Sequence, residues 1–229
     1  MAEDVENLLE IFKEIGISKP KSEDNLIPVP VTNKITNRGT GAGGSNTNKN
    51  GKEFEENTNI IPILVELGYE KKLIPKKENT KNGYYYTKTI DENKECIYIE
   101  QYGLKFFMNH FYKKRINRCP DGAMIFVNGD KKILSIIEKK AQNGEGSVDT
   151  KLYCGNGFKR EYKYYLDDNW DIKYSFVLND WLKKEFISDK KAILRKILED
   201  DDIDVYFGND SDFKDKIINW IKYPENWDF

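Results

Sequence analysis

The sequence predicts an α/β domain in which helices sandwich a mixed central sheet, and three observations predict it. Two pairs of β-rich runs, 84–90 with 96–101 and 122–127 with 132–140, are each joined by a short polar turn and read as antiparallel hairpins. From 172 onward the pattern alternates strand and helix, which adds parallel strands to the same sheet. The 229 residues are 13% aromatic and 38% hydrophobic, enough to bury a sizeable core although 33% are charged.

Taken in order, 3–15 places Val5, Leu8, Leu9, Phe12 and Ile15 on one helical face, and Gly16 stops that helix. A proline- and glycine-containing stretch follows, ending in the polar run GTGAGGSNTNKNG at 39–51, which reads as a linker. The spacing of Phe54, Ile61, Leu64 and Leu67 predicts a helix over 52–67 that Pro62 kinks or splits. After the first hairpin, 104–112 reads as a short helix. The second hairpin turns at Asn128-Gly129-Asp130-Lys131. A helix over 148–166, a strand at 172–178, a helix over 180–199, a strand at 203–207 and a closing helix at 213–221 complete the chain. The division expected is an N-terminal helix and linker arm, 1–36, followed by one domain, 37–229.

Composition excludes several classes of function. No window approaches the length of an apolar membrane span, and the acidic start Met1-Ala2-Glu3-Asp4-Val5 does not read as a secretory signal. Three widely spaced cysteines, Cys96, Cys119 and Cys154, read as free thiols in a reducing compartment, so the expected location is intracellular and cytoplasmic. Net charge is −2, but its distribution is uneven: residues 105–163 carry +7 between flanks of −3 and −6. Such a basic island is either a solvated face or a surface for a polyanion.

The second hairpin carries the chemistry. If 128–131 is its turn, Val127 pairs with Lys132 and Asp121 lies opposite Glu138 on the same face, within about 5.5 Å between Cβ atoms. Lys140 shares that face by the period of two, and Lys139 points to the other. Two adjacent carboxylates repel unless a cation sits between them, and hard oxygen donors suit Mg²⁺. Mg²⁺ would take substrate phosphate oxygens, and an ammonium nearby can hold the attacking water or offset phosphorane charge. These are the parts for metal-assisted phosphodiester hydrolysis.

Pro120-Asp121, sixteen residues and then Glu138-Lys139-Lys140 resemble the PD-(D/E)XK nuclease motif. The continuation IIEKKAQNGEGSVDTKL, followed by Phe158-Lys159, resembles a group of type II restriction endonucleases. So do NTNKNGKEFEE at 46–56 and KYSFVLNDWLKKEF at 173–186, and the resemblance spans roughly residues 37–222. It implies a restriction-endonuclease-like core and Mg²⁺-dependent cleavage of double-stranded DNA at a short specific sequence, leaving a 5′-phosphate. It also implies a homodimer on a palindromic target and a companion DNA methyltransferase. Carried over, it makes Asp121 and Glu138 the Mg²⁺ ligands, Lys140 the catalytic lysine and Glu55 a helix carboxylate pointing into the site, with Glu53 or Glu56 as its competitors.

For DNA contact the candidates are Arg38, Asn46, Asn48 and Lys49 around the glycine-rich run, and Gln142 on the Lys140 face. Lys151, Lys159 and Arg160, with Lys163, recur at helical spacing and can meet the phosphate backbone or form a solvated face. Other chemistries fit less well. The glycine-rich run lacks a P-loop, since Asn46 stands where glycine is needed and Glu53 follows Lys52. The cysteines and His110 lack zinc spacing, and the acidic run 199–202 lacks an EF-hand pattern. A structure-specific or repair endonuclease on the same fold, and a catalytically silent DNA-binding protein, are the alternative functions.

Overall fold

Seven strands form one mixed sheet whose spatial order is the chain order. They are β1 (Glu70–Leu73), β2 (Tyr84–Asp91), β3 (Lys94–Ile99), β4 (Gly122–Asn128), β5 (Lys131–Lys140), β6 (Trp170–Leu178) and β7 (Ile203–Phe207). Neighbours from β1 to β5 run antiparallel, and β5, β6 and β7 run parallel. The computed structural model describes residues 52–75, 83–144 and 148–222, which belong to one compact unit. The expectations for 1–51, among them the helix at 3–15 and the contacts from Arg38, Asn46, Asn48 and Lys49, lie outside the described residues.

The expected 52–67 helix is two helices, α1 (52–57) and α2 (Ile61–Glu66), with Pro62 in the first turn of the second. Proline has no N–H to lose there, so it starts a helix more readily than it continues one. Thr58 Oγ1 donates to Phe54 O at 2.6 Å and Asn59 Oδ1 accepts from Ile61 N at 3.0 Å, fixing the joint. Helix α3 (Tyr102–Phe111) links β3 to β4.

The β4–β5 hairpin keeps the expected register, running from Gly122 opposite Ile137 to Asn128 opposite Lys131. Its turn is tighter than the four residues proposed: Gly129 and Asp130 alone form it, with Gly129 at φ +58°, a conformation that glycine enters freely.

The parallel part of the sheet is crossed by α4 (Val148–Tyr153) and α5 (Gly155–Tyr165), then by α6 (Asp180–Ile187) and α7 (Ala192–Asp200). Each pair was expected as one helix. The first breaks where Gly155 presses on the sheet, since a Cβ there would meet Ile203 Cδ1 at 2.9 Å and Phe176 Cε2 at 3.0 Å. The second breaks at Ser188, which is extended, with its carbonyl held by Arg195 Nη1 at 2.8 Å. Helix α8 (Phe213–Ile221) closes the described chain.

Both faces of the sheet are covered. Leu134 and Ile136 of β5 face a cluster with Leu104 and Phe107 of α3, Tyr162 of α5, Leu182 of α6 and Leu198 of α7. Ile133 and Ile137 face the opposite cluster, with Phe54 of α1, Leu64 of α2 and Phe213, Ile217 and Trp220 of α8. The alternation of a strand thus sends even-numbered β5 residues toward α5 and odd-numbered ones toward α1 and α8. Among the described residues, no helix is long and apolar enough to cross a membrane.

Candidate active site at the carboxyl end of strand β5

Strand β5 is buried from Ile133 to Ile137 and then continues for three charged residues, Glu138, Lys139 and Lys140, all half-buried. Charge this close to a core needs partners, and it has them. Lys140 Nζ donates to Glu138 Oε2 at 2.8 Å, with the two side chains 20% and 15% exposed. Asp121, just before β4, accepts from the backbone N–H of Lys139 through Oδ2 at 2.7 Å. Burial raises the Glu138 carboxyl above the ordinary glutamate range; Lys140 opposes this, and the nearby Asp121 carboxyl adds to it. Asp121, Glu138 and Lys140 therefore meet at one end of the hairpin, where the two-residue period and the register place them.

The segment carrying Asp121 is anchored from two sides. Pro120 is buried, and its carbonyl accepts from Gln101 N at 2.9 Å. Upstream, Arg118 Nε donates to Glu161 Oε2 of α5 at 2.5 Å, and its guanidinium lies 3.9 Å from the centre of the Phe158 ring. Both ties act within three residues of Asp121, so the segment that carries the carboxylate is anchored to α3 and α5.

Lys139 faces the other way, as its odd position requires. Burial lowers its ammonium, and the carboxylates of Glu100, Asp121 and Glu55 raise it in opposition. The Glu55 carboxylate of α1 is thus close enough for Lys139 to feel its charge. Glu100 joins that group and accepts from Tyr98 Oη at 3.0 Å. It was not among the sequence candidates, because it ends a strand two elements away and nothing local marks it. Beneath Glu138, the hydroxyls of Tyr162 and Tyr174 are buried and have no hydrogen-bond partner among the described residues, and both feel the Glu138 charge.

The remaining candidates have different surroundings. Gln142 follows β5; its backbone N–H reaches Asn179 Oδ1 at 3.3 Å and its side-chain amide donates to the Gly144 carbonyl. Lys151 and Arg160 are exposed, and Arg160 Nη2 reaches Tyr164 Oη at 3.3 Å. Lys159 is only 12% exposed and donates to the carbonyls of Asp201 at 2.8 Å and Asp202 at 3.1 Å, closing the end of α7. Asp202 also meets Lys173 at 2.8 Å, so the acidic run after α7 is an ion-paired corner. All three cysteines are free.

Among the described residues, no group of three or more His, Cys, Asp or Glu side chains is gathered for a metal. The pair Asp121 and Glu138 still fits Mg²⁺, which is commonly held by one or two carboxylates plus substrate phosphate and water. Two close carboxylates, one raised above its ordinary range, are a donor set that a hard dication would relieve. The chain is an α/β protein with a seven-stranded mixed sheet flanked by helices. Comparison with protein-family models, with curated proteins and with solved structures returned no match to this chain.

Proposed function

We propose that this chain is a Mg²⁺-dependent type II site-specific deoxyribonuclease built on a PD-(D/E)XK core. The observation that carries the reading is the meeting of Asp121, Glu138 and Lys140 at the end of one hairpin, with Asp121 fixed by the Lys139 N–H and Lys140 bonded to Glu138. Asp121 and Glu138 would hold the ion. When bound, Mg²⁺ supplies positive charge at the scissile phosphate and lowers the pKa of water.

The side chains do the rest. Lys140 would orient the attacking water and offset charge gathering on the phosphorus oxygens. The water oxygen bonds to phosphorus, the bond to O3′ breaks, and the departing oxygen takes a proton, leaving a 5′-phosphate and a 3′-hydroxyl. Glu55 and Glu100, gathered about Lys139, would hold the opposite flank of Asp121. Arg160 and Lys151 are exposed cations available to the DNA backbone. A palindromic target would call for a homodimer, and a cytoplasmic nuclease of this kind would be paired with a methyltransferase that protects the host's own DNA.

The test is digestion of long unmethylated DNA by the full chain with Mg²⁺ or EDTA, followed by sequencing of the fragment ends. Discrete fragments sharing one short sequence, formed only with Mg²⁺, support the reading. A smear points to a nonspecific or structure-guided nuclease, and an absence of cutting overturns the enzymatic assignment.

A further inference from the structure

A second concavity, of about 370 Å³, opens where the carboxyl ends of β5, β6 and β7 meet the last turn of α1. In open α/β sheets, the crevice outside the carboxyl ends of parallel strands is where ligands bind. Its lining is unusual for its amides: Asn57 from α1, Asn143 after β5, Asn179 after β6 and Asn209 after β7, with Trp181 and Lys184 of α6 beside them.

Asn179 is scaffold. Its Oδ1 accepts from Leu182 N at 3.2 Å, capping α6, and from Gln142 N at 3.3 Å. Its Nδ2 donates to Gln142 O and to Asn143 Oδ1, both at 3.0 Å. Its own backbone N–H donates to Lys140 O at 3.2 Å, which ties the pocket to the strand that carries Glu138 and Lys140. Asn143 is oriented by that contact, and its amide nitrogen donates to no group among the described residues. Asn57 and Asn209 are exposed, and their side chains make no hydrogen bond within the described residues. Each therefore presents one donor group and one acceptor.

We infer that this pocket reads the major-groove edge of an A·T base pair through Asn57, Asn143 and Asn209. The inference rests on the nuclease reading above. An asparagine amide matches adenine, which offers the N7 acceptor beside the N6 donor, whereas guanine offers two acceptors and is met by arginine or lysine. Among the described residues no arginine lines the pocket, and Lys184 is the lysine there suited to a phosphate. The rim carboxylates Glu53 and Asp180 would repel phosphate, which turns the base edges toward the amides. Gln142 and Asn143 follow Lys140 closely in the chain, so the segment leaving the catalytic strand enters this pocket.

The experiment is selection of bound and cut sequences from a duplex pool with one randomised window, using the full chain with Ca²⁺ for binding and Mg²⁺ for cleavage. The wild type, Asn57→Ala, Asn209→Ala and Asn209→Asp are compared, and each variant's melting temperature is recorded. The expected result is a site containing an A·T pair at which the variants lose about tenfold in discrimination, while other positions keep theirs. As a check independent of any variant, 7-deazaadenine at that position in wild-type DNA should weaken selection by about the same factor, because it removes the N7 acceptor.

Unchanged discrimination in the variants, or indifference to 7-deazaadenine, overturns the inference while leaving the nuclease reading intact. A loss confined to a C·G position would overturn it too. Selective binding without cutting would remove the enzymatic reading alone, and the A·T test would then be decided from bound sequences. A wild type that neither binds nor cuts DNA removes both.

Discussion

Asp121 takes its hydrogen bond from the main chain of Lys139, at 2.7 Å, and so its carboxylate is held by the backbone between the two side chains with which it would act, Glu138 and Lys140. An amide oxygen can accept the same bond. Asp121→Asn should therefore fold with little loss of stability yet cut DNA about 10³-fold more slowly, because the charge that holds Mg²⁺ is gone. Asp121→Ala should lose the same activity and, in addition, about 1–2 kcal/mol of stability, because it strips the Lys139 N–H of its partner. Thermal melts beside single-turnover cleavage rates separate the two effects. Equal stability of Asn and Ala variants would show that the bond contributes nothing.

The two lysines in tandem invite a second comparison. Lys140 bonds to Glu138 on the α5 side, whereas Lys139 lies with Glu55, Glu100 and Asp121 on the α1 side. Lys140→Ala should lower cleavage by about 10²-fold or more, and Lys139→Ala by about tenfold or less. Stability should rank in the other order at Lys139, where removal leaves carboxylates facing one another and costs about 1–3 kcal/mol. A reversed activity ranking would assign catalysis to the other face of β5.

That comparison is legible in the sequence because the hairpin register follows from its turn. Asn128-Gly129-Asp130-Lys131 sets which residues oppose each other, and period two then sorts Glu138 and Lys140 from Lys139. The closing strand and helix were equally legible, since Phe213, Ile217, Trp220 and Ile221 mark one helical face. Strand β1 was not, because Glu70–Leu73 is an exposed edge strand whose charged residues carry no alternating signal. Nor was Glu100, whose role depends on α1, β3 and the Asp121 loop converging. Sequence periodicity reports a residue's own element and is blind to partners on distant ones.

Protons and Mg²⁺ should compete for Glu138. Burial raises its carboxyl, with Lys140 opposing and Asp121 reinforcing, so the folded chain holds that proton more tightly than the unfolded chain does. In EDTA, stability should fall as pH rises from the ordinary glutamate value through the raised one, since the buried group must then ionise. Added Mg²⁺ should restore it above that window. Cleavage needs the ionised form, so the acid limb of the rate profile should lie above the ordinary glutamate range and move to lower pH as Mg²⁺ increases. A limb that stays fixed across Mg²⁺ concentrations would separate Glu138 from the metal.

Lys159 and Arg160 are adjacent in sequence and differ in employment. Lys159 closes the end of α7 through the Asp201 and Asp202 carbonyls, while Arg160 is exposed. Lys159→Met should lower stability by about 1–2 kcal/mol and leave the salt dependence of DNA binding unchanged. Arg160→Ala should leave stability alone and reduce the slope of log K against log salt by about 1. The pair is measured by melting and by binding titrations at several salt concentrations. A flattened slope for Lys159→Met alone would give the phosphate contact to the buried lysine, against its observed bonds.

Gly122 offers a route to the site that touches no charged group. It directly follows Asp121, and a Cβ there would meet Tyr98 Oη at 2.7 Å and Ile137 Cγ2 at 2.9 Å. Tyr98 is fully buried and bonded to Glu100, and Ile137 lies in the buried run of β5, so neither yields freely. Gly122→Ala must then displace the start of β4 between its two neighbouring strands, at a cost of about 1–3 kcal/mol. The displacement falls on the residue before it, and a shift of about 1 Å in a catalytic group costs about 10²-fold in rate. Cleavage should fall by that order with Mg²⁺ saturating, while selective DNA binding in Ca²⁺ persists. Tyr98→Phe in the same chain removes the oxygen that the new methyl would strike and should recover part of both losses. Failure of that second change to recover either would place the strain at Ile137, which Ile137→Val then tests by the same two readouts.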